Sequence, residues 1–119
     1  MSTRHSIAKS FGFAFNGLKE AFKNERNFRV QFVFAIIAIV LAFVFNLSTV
    51  EWAILLLTIA IVLILELINT SIEMVVDIIS PEIQEKAKIA KDVSASAVFI
   101  ASVTSVLIGA IIFLPKLLS

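Results

Sequence analysis

The run WAILLLTIAIVLIL, residues 52–65, holds fourteen residues without a charge and passes directly into ELINTSIEMVVD, residues 66–77. The first half is too long and too apolar for a soluble helix with one wet face. The second half adds three carboxylates, Glu66, Glu73 and Asp77, to the same helix. An unpaired carboxylate in an apolar medium is costly, so each must stay protonated, find a partner or bind a cation. From Val50 to Ile79, before Pro81 stops it, the helix holds thirty residues. At 1.5 Å rise that is ~45 Å, against ~30 Å of hydrocarbon. Measured from Glu51, Glu66 lies ~22 Å along the axis, Glu73 ~33 Å and Asp77 ~39 Å. The acids therefore form a layer at one membrane surface. Glu66, Asn69, Glu73 and Asp77 are spaced three, four and four, which stacks them on one face.

Two further apolar stretches flank this one. Residues 28–47 and 91–114 can each supply the ~20 residues a crossing helix needs. With 60% hydrophobic residues and a mean hydropathy of +1.03, the chain lies outside the soluble globular range. The expected fold is an all-α integral membrane protein, a single domain over residues 1–119. No cleaved leader is expected, because the first apolar run is too long for one. The absence of cysteine excludes disulfides and thiolate metal sites.

Net charge is +1, but its distribution is uneven. Six of the ten Lys and Arg precede the first span: Arg4, Lys9, Lys19, Lys23, Arg26 and Arg29. Lys86, Lys88 and Lys91 lie between spans two and three, whereas the turn NLST, residues 46–49, has none. The positive-inside rule then places the N-terminus and the second connection in the cytoplasm and the C-terminus outside. No nucleic-acid partner is expected, since no recognised module or interleaved aromatic platform accompanies these cations.

Residues 6–25 read as an amphipathic helix lying on the membrane surface. Ile7, Phe11, Ala14, Phe15, Leu18, Ala21 and Phe22 recur at helical spacing, with Lys9, Asn16, Lys19 and Lys23 apart from them. In span three, Ala97, Ala101, Ser105 and Gly109 recur every four residues, the small-residue pattern that lets membrane helices approach closely.

At the level of the acids come KNERNFR, residues 23–29, with Glu25 and Asn27, and EIQEKAKIAKD, residues 82–92, read as the connection into span three. Lys88 and Asp92, four apart, are placed to pair, and Asp77 is a candidate for pairing with a nearby Lys. Lys86 and Lys88 read as topology anchors, and Glu20, Glu82 and Glu85 as solvated charges. Glu66 and Glu73 are harder to assign to the surface, because acids within a membrane usually have a partner or a task. Two carboxylates suit a hard cation such as Mg²⁺, and a third in an apolar setting suits a general base. There is no P-loop pattern, and His5 is single and terminal, which excludes a histidine metal site. The residues alone imply a polytopic membrane protein with an acidic, cation-binding site at its inner surface.

ELINTSIEMVVD followed by AKDVSASAV resembles the signature of the prokaryotic diacylglycerol kinase family, E-x-x-N-[ST]-[AS]-I-E-x-x-x-D and then A-K-D. NERNFR resembles that family's first acidic segment, and ERNFR with IIFLPKLL looks more like its Gram-positive branch, whose members act as undecaprenol kinases. The Gram-negative branch phosphorylates diacylglycerol. The resemblance implies a homotrimer of three-span chains, each with a surface helix, and active sites shared between protomers at the cytoplasmic interface. It implies Glu66 as the base for the lipid hydroxyl, and Glu25 and Glu73 as ligands of the Mg²⁺ that accompanies ATP. Asn69, Lys91 and Asp92 would be site and nucleotide contacts, with Glu82 and Gln84 near the nucleotide and Asn27, Arg29 and Asp77 in support. Gln84 stands where the other branch commonly has histidine. A non-catalytic cation-conducting subunit is the competing class; it calls for an acid near the membrane midplane, and Glu66 is offset from there.

Overall fold

A computed structural model describes residues 6–82 and 84–119; Arg4 and His5, named above, lie outside them. Four helices follow one another: α1 (Ile7–Asn24), α2 (Arg26–Val44), α3 (Thr49–Ile79) and α4 (Glu85–Leu118). α2, α3 and α4 are each long and apolar enough to cross a membrane. α1 is amphipathic and is not among them. The chain is an all-α membrane protein with one non-spanning N-terminal helix.

Local signals set the helix ends. Ser6 caps α1, its hydroxyl accepting from the Lys9 amide at 3.2 Å. Glu25 alone is extended between α1 and α2. Arg29 turns back across that junction and donates to the carbonyls of Phe22 and Lys23 at 2.9 and 3.0 Å. Those are last-turn carbonyls that the helix itself leaves open. Phe22 and Phe32 meet edge to face across the same corner, 5.5 Å apart. At the far end of α2, Asn46 adopts φ 51°, a left-handed conformation that Asn tolerates. Ser48 then opens α3 with a capping box: its hydroxyl accepts from the Glu51 amide, and its own amide donates to Glu51 Oε1 at 2.9 Å.

Two boundaries differ from the sequence reading. The first span runs 26–44 rather than 28–47, because Phe45 and Asn46 turn the chain early. The third begins at Glu85 rather than at 91 and continues through Pro115 to Leu118. The polar segment taken as a connection is mostly the first turns of α4. Glu, Lys and Ala are strong helix formers, and their polarity marks water rather than a loop.

α3 and α4 pair antiparallel, as ion pairs at both ends require. Lys116 Nζ meets Glu51 Oε1 at 3.1 Å at one end, and Lys91 meets Asp77 at the other. Near the Glu51 end the core gathers Ala42, Leu47, Leu55 and Ile112, with Trp52, Ile59, Ile108 and Phe113 against it. Most other large apolar side chains point outward, among them Leu57, Phe99, Val106 and Ile111. A soluble protein could not afford that exposure; a bilayer solvates it. Between α2, α3 and α4 lies an apolar cleft of about 410 Å³, lined in part by Ala35, Leu55, Val62, Ser105 and Gly109. The small-residue stripe thus faces inward in part. Ala101 is buried within the chain, while a Cβ added at Gly109 would meet only open space.

Candidate functional site

The charged residues of the spans, apart from the Glu51–Lys116 pair, collect at the opposite end together with Asn69 and Thr70. Glu66 is their most deeply buried member, with 3% of its surface exposed. It is held in place by α3 itself, where the Thr70 hydroxyl donates to its carbonyl at 3.0 Å. Its Oε1 has no hydrogen-bond partner among the described residues. The charges of Glu73, one α3 turn pair further on, and of Glu25 at the α1–α2 corner both act on it. Three carboxylates from two parts of the chain therefore share one neighbourhood. A buried acid with an unused oxygen is costly in an idle structure and suited to a reacting or ligand-binding one.

Around Glu66 the side chains are ordered by hydrogen bonds. Ser94 on α4 donates to Asn69 Oδ1 at 2.7 Å, and Asn69 Nδ2 donates to Glu73 Oε1 at 2.9 Å. Asn69 and Thr70 are buried with Glu66. Towards the helix ends the surroundings open to water. There Asp77, Ser80, Glu82, Gln84, Lys88 and Lys91 line a shallow hollow of about 370 Å³ between the end of α3 and the start of α4. Lys91 is paired with Asp77, as the sequence anticipated for that aspartate. Lys88 and Asp92 form the expected pair at 2.7 Å.

The structure thus divides the sequence-derived residues into groups. Glu25, Glu66, Asn69 and Glu73 form the acidic centre. Asp77, Glu82, Gln84 and Lys91 line the adjoining hollow. Asp92 is exposed beside Lys88 and is not part of the hollow's lining. Asn27 is exposed, and Arg29 is engaged with the carbonyls of α1. Ser94 was missed by sequence reasoning, although it lies three and seven residues before Ala97 and Ala101 and so shares their face of α4.

Among the described residues no three His, Cys, Asp or Glu side chains are close enough to hold a metal as a closed cage. Mg²⁺ does not require one: it keeps several waters and is bound through one or two carboxylates together with substrate phosphates. Glu73, with a single hydrogen bond on its carboxylate, and Glu25 are two oxygen donors of that kind, and both act on the neighbouring Glu66. The residues fit the ion.

Fold and site together define a polytopic membrane protein with a buried acidic centre towards one end of its spanning helices. A family model for prokaryotic diacylglycerol kinase matches residues 12–113, and the chain belongs to that family. It is 43% identical over 109 residues to the undecaprenol kinase of Bacillus subtilis, covering 92% of this chain and 89% of that one. It is 41% identical over 115 residues to a diacylglycerol kinase of Synechocystis, covering 96% of this chain and 66% of that longer protein. Against the diacylglycerol kinase of Escherichia coli, identity is 35% over 101 residues, 85% of this chain and 83% of the relative. At the level of its family the chain is a membrane-embedded lipid kinase.

Proposed function

We propose that the protein transfers the γ-phosphoryl group of ATP to the hydroxyl of a membrane lipid alcohol, undecaprenol before diacylglycerol, with Glu66 as general base. The observation that carries this reading is the buried Glu66 carboxylate, whose Oε1 lacks a partner beside Glu25 and Glu73. In the reaction the lipid O–H proton passes to Glu66 as the hydroxyl oxygen bonds to the γ-phosphorus. The bond from that phosphorus to the β–γ bridging oxygen breaks, and ADP leaves; Glu66 then returns its proton to water. Mg²⁺, when bound, neutralises phosphate charge. Glu25 and Glu73 are the side chains that would hold it. Asn69 orients Glu73, and Lys91, with Glu82 and Gln84 nearby, meets the nucleotide in the hollow.

The position of the site supports a lipid acceptor. Val62, one turn from Glu66, lines the apolar cleft, which brings the path for a lipid chain within one helical turn of that carboxylate. Cytoplasmic placement of this end follows from the cations around it, which leaves the C-terminus outside. One chain is too thin to enclose both substrates, and we assign the complete site to a homotrimer with contributions from neighbouring protomers. Asp92 and the exposed Asn27 are the groups placed to serve a neighbour.

Undecaprenol is preferred because ERNFR and IIFLPKLL resemble the Gram-positive branch and because the Bacillus subtilis relative is matched over most of its length. The diacylglycerol kinases among the relatives support the second acceptor. Incubating the purified protein with radiolabelled ATP and each lipid in mixed micelles separates the two. The proposal expects phosphorylated undecaprenol at the higher kcat/KM. Greater efficiency on diacylglycerol would reverse the assignment, and label in neither lipid would remove the kinase reading.

A further inference from the structure

Hydroxyl groups within these helices mostly bond to their own backbone. Thr58 donates to the Ile54 carbonyl, Thr70 to Glu66, Ser96 to Val93 and Ser105 to Ser102. That is the usual outcome for Ser and Thr in a helix, where a carbonyl three or four residues back lies within reach. Ser94 departs from it. Its hydroxyl leaves α4 and donates to Asn69 Oδ1 on α3 at 2.7 Å, while the Asn69 amide nitrogen donates to Glu73 Oε1 at 2.9 Å.

The direction of this chain is set by its last member. An ionised carboxylate only accepts, so the Asn69 amide must turn its NH₂ towards Glu73. The amide oxygen is then committed to the opposite side, and the Ser94 hydroxyl has to donate to it. Reversing the amide would place two acceptors, Asn69 Oδ1 and Glu73 Oε1, against each other. The bond also ties the amide to a second helix, which the neighbouring Lys91–Asp77 pair holds against α3. With Oε1 engaged, Glu73 Oε2 has no hydrogen bond among the described residues.

We propose that Ser94 is a positioning residue for the acidic centre: through Asn69 it fixes the Glu73 carboxylate so that one oxygen is held and the other is kept for a divalent cation. The inference rests on the reading of Glu73 as a cation ligand given above. Partners behind a ligating carboxylate tune metal affinity even though they never touch the metal. Ser94 acts in this way from α4, so the cation site depends on the pairing of α3 with α4.

The test uses the full-length protein in lipid nanodiscs. Calorimetric binding of a non-hydrolysable ATP analogue is measured across a Mg²⁺ series, with kcat at saturating Mg²⁺ measured in parallel. Ser94→Ala is expected to raise the Mg²⁺ concentration for half-maximal analogue binding about tenfold, with kcat at saturation changed by less than about twofold. Ser94→Thr, which keeps the donor, should restore the wild-type Mg²⁺ dependence. Should Ser94→Ala fail to assemble, Ser94→Cys, close in size and a weaker donor, takes its place with a smaller shift in the same direction. Glu73→Gln is the control on the underlying reading. A shift in Glu73→Gln with wild-type behaviour in Ser94→Ala overturns the role of Ser94 alone. Equal loss in Ser94→Ala and Ser94→Thr overturns it too, because packing rather than the hydrogen bond would then be responsible. Unchanged Mg²⁺ dependence in Glu73→Gln removes the cation-ligand reading, and the role of Ser94 with it.

Discussion

Glu66 is the side chain on which the proposed reaction turns. A carboxylate with 3% of its surface exposed and an unpartnered Oε1 is poorly suited to a structural role, since that oxygen gains no hydrogen bond in return for its burial. Glu66→Gln keeps the shape and the burial and removes the ability to take a proton. We expect kcat to fall by about 10²–10⁴ while nucleotide binding and assembly are retained. Single-turnover kinetics with saturating ATP and lipid check this, and a near-normal rate would take Glu66 out of the chemistry. The same scale shows where sequence reading stops. Glu66, Asn69, Glu73 and Asp77 could be put on one face by spacing alone, because helical periodicity is fixed. The return of Arg29 to the carbonyls of Phe22 and Lys23 could not, since it depends on a corner made by the single extended residue Glu25.

At the level of helices, the legible features were those that a single segment specifies. Length and apolarity marked the three spans, and the Phe/Lys division marked α1. What escaped were relations between segments. The Glu51–Lys116 pair requires the antiparallel register of α3 and α4, and Ser94 gains significance only when that register brings it to Asn69. α4 starts at Glu85, earlier than the apolar run alone predicts, because the charged segment from Glu85 to Lys91 has strong helical propensity. The entry to α3 is better determined. Ser48 and Glu51 satisfy each other's amides there, and Glu51 also meets Lys116. Removing the Ser48 hydroxyl leaves the Glu51 amide without its cap and loosens the carboxylate that holds the end of α4. Ser48→Ala should cost about 1 kcal/mol and lower the thermal midpoint in detergent. Glu66 stands eighteen residues beyond Ser48 along the chain, so kcat at ambient temperature should stay near wild type. A large loss of kcat without loss of stability would show that the Glu51–Lys116 end of the hairpin controls the site.

For the whole molecule the question is what completes the site. The three spans form a thin bundle whose outward faces carry Leu57, Phe99, Val106 and Ile111, and much of that surface meets lipid or another copy. Asp92 lies exposed beside Lys88, outside the lining of the hollow between α3 and α4 of its own chain. A solvent-exposed ion pair of this kind adds little stability. If Asp92 takes part in catalysis as proposed, it therefore does so towards a neighbouring protomer. Mixing two inactive variants, Glu66→Gln and Asp92→Asn, tests this at the level of the assembly. In mixed trimers some interfaces would pair an intact Glu66 with an intact Asp92 from different chains, so activity should rise above that of either parent. Co-purification through two different affinity tags establishes that mixed assemblies have formed. Assemblies proven to be mixed yet inactive would require both residues to act within one chain. In the proposed trimer one two-chain site of three is intact in every mixed assembly, so recovery of more than about a third of wild-type activity would exceed what shared sites allow.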